Sequence, residues 1–238
     1  MAHDELPRGA AKHEAVRQMF DRIAPRYDLM NRLLTGGLDQ RWRRKLLSRV
    51  AVGDGDLVVD VACGTGDLAE LARQRGAFVL GVDFAFEMLR GAARRQATPA
   101  LVCADAARLP LPDACASVVT CGFALRNFVA LPPVFQEMAR ILRPGGRLAI
   151  LEVDRPESAW VGRVHSLYFD RVVPQIGALL SDRAAYRYLP QSTAYLPPLE
   201  DLQSLLTTAG FESIERQRLL LGTAQMLTAV RCGGAPHP

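Results

Sequence analysis

Aromatic residues are scarce in this 238-residue chain, at 7%, and lysine is nearly absent: Lys12 and Lys45 are the only two among 29 basic residues, the rest being arginine. So little lysine leaves few candidates for a catalytic amine, and a bias this complete reads as genome composition rather than function. The five cysteines (Cys63, Cys103, Cys115, Cys121, Cys232) are odd in number, scattered and without a CxxC pair. That argues against a disulfide framework and a zinc site, and it predicts reduced thiols. No run approaches the roughly 18 to 20 uninterrupted apolar residues that a membrane-spanning helix needs. The opening segment, MAHDELPRGAAKHEAV, is mixed in charge and has no apolar stretch, so no secretory leader is expected and a cytoplasmic location follows. Repeats and low-complexity blocks are also missing.

What is present is an ordinary globular composition: 49% hydrophobic, 23% charged, enough for a sizeable core. The net charge of +4 and pI of about 9.0 give only a modest pull toward anions. One dense basic cluster, Arg41, Arg43, Arg44 and Lys45, is interleaved with Trp42, Leu46 and Leu47. It reads first as the solvated face of an amphipathic helix and second as a contact with anionic lipid headgroups.

Hydrophobic periodicity predicts helices over 12–50, with a break at Pro25, a stop at Gly36-Gly37 and Asp39 capping a helix from 40 to 50. Beyond this cap, strand-like segments at 57–61, 78–82, 100–104, 117–121 and 147–153 alternate with helical ones at 67–75, 87–95 and 131–142. Strands nearly continuous in Val, Leu, Ile and Ala, separated by helices, are expected in a parallel sheet covered on both faces. A helix at 199–210 and strands at 211–218 and 223–231 would close the sheet. The expected fold is a doubly wound, mostly parallel, seven-stranded α/β sheet of Rossmann-like type, in one domain spanning 1–238. A stretch rich in Tyr and Arg after Asp154 (Tyr168, Tyr186, Arg187, Tyr188, Tyr195) should cover the carboxyl ends of the strands, where such sheets bind ligands.

The informative segment runs from Val58 through Asp60 to Gly64-Thr65-Gly66-Asp67, a strand entering a glycine turn that opens a helix. Gly64 and Gly66 allow close backbone approach to a ligand. Continued to Ala69, the pattern also fits a dinucleotide fingerprint, so an NAD-dependent oxidoreductase is an alternative. Asp60 and Asp67 argue against it, because carboxylates there repel a diphosphate and suit a ligand bearing an ammonium and a sulfonium, such as S-adenosylmethionine. Neither lysine completes a Tyr-x-x-x-Lys pair. Asp83, 23 residues after Asp60, ends the second strand where a carboxylate can accept both ribose hydroxyls. Asp105, followed by Ala106, follows the third strand where it can accept from an adenine amino group. Any single strand-end Asp could be a helix cap; three in order with the glycine turn point jointly to adenosine.

The chain then resembles class I S-adenosylmethionine methyltransferases and, more closely, the ubiquinone/menaquinone biosynthesis family of UbiE/MenG type. Three blocks carry the likeness: Tyr27-Asp28-Leu29-Met30-Asn31 followed by Trp42; Leu125-Arg126-Asn127; and Arg140-Ile141-Leu142-Arg143-Pro144-Gly145-Gly146-Arg147 with Leu151-Glu152. Pro174-x-Ile176-Gly177, Tyr186-Arg187-Tyr188-Leu189 and Ser192 extend it. The resemblance implies methyl transfer from S-adenosylmethionine to a ring carbon of a prenylated quinol. It assigns Arg126 to stabilise the phenolate and Asn127 to orient it, with Tyr27, Asp28 and Asn31 closing over the cofactor. Cofactor contacts would come from Asp60, Gly64, Thr65, Gly66, Asp83, Asp105, Ala106 and Gly122, with no metal. Residues 12–50 would be the helical cap, 51–154 the cofactor-binding half, and 155–238 the acceptor-side half. The implied partners are a lipophilic quinol and a peripheral membrane contact, without nucleic acid; a homodimer is compatible.

The departures cluster on the acceptor side. Gly122 stands where the family usually has serine, Asp39 replaces a histidine, Thr35 replaces a serine, Glu152-Val153-Asp154 replaces ExS, and a C-terminal histidine is lost from Gly222-Thr223-Ala224-Gln225-Met226-Leu227. Asp154 would be a general base if burial raised its pKa, but reads better as a solvated loop residue. A phenolic or polyketide natural product is the alternative acceptor, and a module that binds S-adenosylmethionine without turnover is another reading.

Overall fold

The computed structural model describes residues 9–94, 100–154, 188 and 191–233. The cap consists of α1 (Gly9–Ile23), a 3-10 turn (Ala24–Arg26), α2 (Tyr27–Thr35) and α3 (Leu38–Arg49). Val16, Met19 and Ile23 form the buried stripe of α1, and the turn carrying Pro25, which has no N–H to continue the helix, breaks it from α2. Gly36 and Gly37 both lie in the left-handed region (φ 59° and 77°), so the expected stop is there and requires glycine.

Two expectations for α3 are corrected. Asp39 does not cap it: the helix starts at Leu38, after Gly37, and Asp39 is buried inside the first turn, accepting the Thr35 hydroxyl at 3.0 Å. Nor is the basic cluster one solvated face. Arg41, Arg44 and Lys45 are exposed, but Arg43 is buried at 5% exposure because it shares the inward stripe of Leu46 and Leu47.

The sheet has seven strands in the order β3-β2-β1-β4-β5-β7-β6, where β1 is Leu57–Val61, β2 Phe78–Asp83, β3 Ala100–Cys103, β4 Ala116–Gly122, β5 Leu142–Val153, β6 Phe211–Leu219 and β7 Ala224–Arg231. The first five are parallel, while β7 is antiparallel between β5 and β6. Helices α4 (Asp67–Arg73), α5 (Phe86–Ala93), α6 (Leu131–Ile141) and α7 (Leu199–Thr208) accompany the strands. Strand β5 begins five residues earlier than the pattern predicts, since Leu142 pairs with Ala116 before the register shifts at Ala116/Val118. The helices expected at 67–75 and 199–210 stop two residues short, at Arg73 and Thr208.

Chain order reverses between β1 and β4, and a crevice forms at such a switch point beyond the carboxyl ends of the strands. Two non-glycine residues sit there in the left-handed region, Ala62 (φ 56°) after β1 and Phe123 (φ 59°) after β4. Backbone strain of this kind concentrates at binding sites. Tyr188 and Tyr195 reach this end, touching Asn127 and Lys12; Tyr168, Tyr186, Arg187, Pro174, Ile176, Gly177 and Leu189 lie outside the described residues. No helix among the described residues is long and apolar enough to cross a membrane.

Candidate active site

The glycine turn is built as its sequence requires: Gly64 has φ 56° and Gly66 φ 86°, both costly for any residue with a side chain. The Gly64 N–H donates to Asp83 Oδ2 at 2.8 Å and the Ala85 N–H donates to Asp83 Oδ1 at 2.8 Å, fixing the carboxylate at the end of β2. The Thr65 hydroxyl donates to Asp28 Oδ1, which ties α2 across the turn. Asp60 accepts the Thr120 hydroxyl at 2.6 Å through Oδ1, whereas its buried Oδ2 has no partner. Burial pushes the Asp60 carboxyl up to about 7 and that of Asp83 to about 6, against the hydrogen bonds that favour their charged forms.

Two adjoining cavities open here. The larger, about 1020 Å³ with its open mouth, is lined by Tyr27, Gly64, Asp83, Asp105, Ala106, Gly122 and Asn127 among the sequence-predicted residues. Its remaining walls are chiefly apolar, with Phe20, Phe84, Met88, Phe123, Phe128, Val129 and Val134. The smaller and more polar, about 300 Å³, is lined by Asp60, Thr65 and Asp67 together with Arg43. Tyr27, Ala62, Gly64 and Gly122 face both.

Buried orphan atoms test whether this pair of cavities fits S-adenosylmethionine. The smaller cavity presents an unpartnered acceptor, Asp60 Oδ2, and an unpartnered donor, Arg43 Nε. An amino-acid tail supplies the complementary ammonium and carboxylate, and the larger cavity offers Asp83 and apolar walls to a nucleoside. The residues fit the cofactor. Asp105, expected near adenine, lines the larger cavity, holds His13 Nε2 at 3.3 Å and accepts the Ala107 N–H at 2.9 Å, so it also does the turn-capping work of a strand-end Asp.

On the acceptor side, Leu125–Asn127 form a 3-10 turn after β4. Arg126 is buried and pairs through Nη1 with Glu152 Oε1, whose side chain is fully buried at the end of β5. Arg126 Nε and Glu152 Oε2 have no partner. Asn127, not Arg126, lines the larger cavity, and the Tyr188 hydroxyl donates to Asn127 Oδ1 at 3.2 Å. Burial raises the phenols of Tyr27 and Tyr188, opposed at Tyr27 by a hydrogen bond with Asn31 and the charges of Arg43 and Arg126, and at Tyr188 by the charge of Arg126.

The altered segments form a network of their own. Asp154 is not a solvated loop residue: it pairs with Arg216, whose Nε donates to Gln225 Oε1 at 2.8 Å. None of Glu152, Asp154, Arg216 and Gln225 lines the larger cavity.

Sequence reasoning passed over Arg43, His13, Thr120 and the partnership of Arg126 with Glu152. For Arg43 a signal existed, because it stands three and four residues before Leu46 and Leu47 on their stripe. The others are contacts between distant segments, which spacing does not show.

The profile of the ubiE/COQ5 methyltransferase family matches residues 8–231. The chain is 42% identical over 225 residues to the demethylmenaquinone methyltransferase of Thermus thermophilus, covering 92% of this chain and 100% of that one. It is 40% identical over 226 residues to the ubiquinone/menaquinone biosynthesis C-methyltransferase UbiE of Geobacter sulfurreducens, covering 91% and 88%. Among solved structures, the [4+2]-cyclase SpnF superposes with a TM-score of 0.68 at 19% identity over 96% of this chain and 99% of that one, a likeness of fold alone.

Proposed function

The chain belongs to the ubiE/COQ5 methyltransferase family and is an S-adenosylmethionine-dependent methyltransferase, and from that premise we propose that it methylates a ring carbon of demethylmenaquinol. The observation that carries this acceptor is the larger cavity, in which one apolar space runs from the cofactor residues Gly64 and Asp83 to Asn127, Phe128, Val129 and Val134. A fused aromatic ring with a prenyl tail suits such walls, and Asn127 supplies a polar contact for its hydroxyl.

Bound S-adenosylmethionine supplies an electrophilic methyl group on a sulfonium. The protein's tasks are to hold the quinol ring in line and to favour loss of its phenolic proton to solvent, which raises electron density on the ring carbon; transfer of the methyl would leave S-adenosylhomocysteine as the neutral thioether, and the ring hydrogen would depart as a proton to restore the aromatic ring. We assign Asn127 to orient the hydroxyl. Arg126, next in the chain, is buried; burial raises the Tyr27 and Tyr188 phenols and the Arg126 charge opposes this at both, and the same charge would favour a phenolate on the acceptor. Glu152 holds Arg126 in place. Tyr27 faces both cavities, so it stands where the amino-acid end of the cofactor would pass into the larger space.

The same reading includes a lipid surface as the source of the acceptor. Leu29 and Leu33 on α2 are 52% and 47% exposed beside the exposed Arg32, a pairing that suits an anionic bilayer. Leu29→Glu with Leu33→Glu should release the protein from anionic vesicles in co-sedimentation; unchanged sedimentation would remove α2 from the membrane contact. The acceptor is tested by offering the reduced naphthoquinol, a prenylated benzoquinol and a simple phenol in detergent with labelled cofactor. Preferred transfer to the naphthoquinol supports the reading, and transfer to the phenol alone would overturn it.

A further inference from the structure

Arg43 is a buried cation to which the proposed reaction gives no work. It extends from α3 to line the smaller cavity, its Cζ 5.2 Å from the centre of the Phe123 ring. Its Nε lies 3.8 Å from Asp39 Oδ2 and 3.8 Å from Asp67 Oδ2, close enough for charge balance and too far for hydrogen bonding. Both of those oxygens are engaged by Gln40 Nε2, at 3.2 Å and 2.8 Å. The guanidinium thus donates no hydrogen bond to any described residue, and its Nε is sealed from water. A buried Nε without a partner carries a cost that a ligand acceptor would remove, and the guanidinium it belongs to has further donors to offer the same ligand.

The backbone opposite is shaped around it. Gly122, at the end of β4, has no side chain, and a Cβ added there would come within 3.2 Å of Arg43 Nη1 and 2.8 Å of Leu68 Cδ1. Both distances are tighter than ordinary contact, so the position taken by Arg43 depends on the missing side chain. Across the same cavity stands the unpartnered Asp60 Oδ2.

We propose that Arg43 is the recognition residue for the carboxylate of the cofactor's amino-acid end, that Asp60 takes its ammonium, and that glycine at 122 is what leaves room for the guanidinium. The proposal rests on the cofactor assignment and adds the part of that molecule each residue reads. Arginine suits the task because its fork matches a carboxylate and keeps its charge at any working pH.

The test is calorimetric and needs no turnover. S-adenosylhomocysteine and its decarboxylated analogue are titrated into the wild type, Arg43→Met, Arg43→Lys and Gly122→Ala. Truncating one member of a buried charge pair should weaken S-adenosylhomocysteine by about 30-fold or more in Arg43→Met, and the decarboxylated analogue by less than about threefold. Arg43→Lys keeps the balance with Asp39 and Asp67, which guards against a folding failure, and should still lose the discrimination between the two ligands in large part. Gly122→Ala should reproduce the loss of discrimination in the wild type, and added to Arg43→Met it should change the two ligands equally relative to Arg43→Met itself, since only the Leu68 contact is then left. Equal weakening of both ligands in the Arg43 variants, or none, would overturn the proposal. A wild type that bound neither ligand would instead overturn the cofactor assignment beneath it.

Discussion

Single residues carry the chemistry, and two buried carboxylates give it a pH dependence. The folded protein holds Asp60 near 7 and Asp83 near 6, above the usual aspartate value near 4. Raised values mean that the fold favours the protonated forms: their contribution to stability is fully present below about pH 4 and is lost as pH rises through 6 to 7. An ammonium favours the ionised form of Asp60 and ribose hydroxyls, as donors, favour that of Asp83, so S-adenosylhomocysteine should bind more tightly as pH rises from 5 to 7.5 and then level off. Asp60→Asn should flatten the upper part of that rise and, by removing a buried charge, stabilise the ligand-free protein at pH 8 by about 1 kcal/mol or more in thermal melts. A pH-independent affinity in the wild type would contradict this. Arg126 needs a paired test, because Arg126→Ala alone strands the Glu152 charge in the interior at a cost of about 3 to 5 kcal/mol. Arg126→Ala with Glu152→Gln should fold, keep ligand affinity within about threefold and lose about 100-fold or more in turnover. Asp83→Ala should show the reverse pattern, with weak binding first. Normal turnover in the double variant would remove Arg126 from the reaction.

At the scale of elements, the cap is fastened to the sheet by a few polar contacts. Asp28 on α2 accepts from Thr65 in the glycine turn, and Lys12 on α1 donates to the Phe128 carbonyl at 2.5 Å while lying 3.6 Å from the centre of the Tyr195 ring. Burial lowers the Lys12 pKa to about 8, so the contact is strongest where the amine stays protonated. Asp28→Ala should leave α2 helical by circular dichroism and weaken S-adenosylhomocysteine by roughly tenfold, since a hydrogen bond to a charged group is worth about 1.5 to 3 kcal/mol. Unchanged affinity would mean that α2 does not position the turn. The elements themselves were largely legible. Val58 and Val59 in β1 and Val118 and Val119 in β4 are buried as their continuous apolar runs imply, and Gly36-Gly37 punctuates the cap because no other residue adopts those angles cheaply. The start of β5 was not legible, because Pro144-Gly145-Gly146 reads as a turn and only the pairing of Leu142 with Ala116 extends the strand across it.

For the whole molecule, the sheet order places the strand-end carboxylates Asp60 and Asp83 and the Leu125–Asn127 turn around one crevice, which a linear pattern of strand ends already suggests. What it does not suggest is which charges face inward. Arg43 reads as a surface residue of a basic helix and Asp39 as its cap, and both are buried; Asp154 looks solvated and is paired with Arg216. Arg43 meets Asp67 across 24 residues and Asp154 meets Arg216 across 62, separations that local spacing does not encode, while Asp39 is held by its near neighbours Thr35 and Gln40. The acceptor is therefore the claim on which most depends. The direct measurement is transfer of a carbon-13 methyl group from labelled S-adenosylmethionine to demethylmenaquinol in detergent, with the label located by nuclear magnetic resonance. The account predicts an aryl-methyl signal on the quinol ring, formed in the wild type and lost with the Arg126→Ala and Glu152→Gln pair; an oxygen-bound methyl signal, or cofactor binding with no transfer to the quinol, would contradict it.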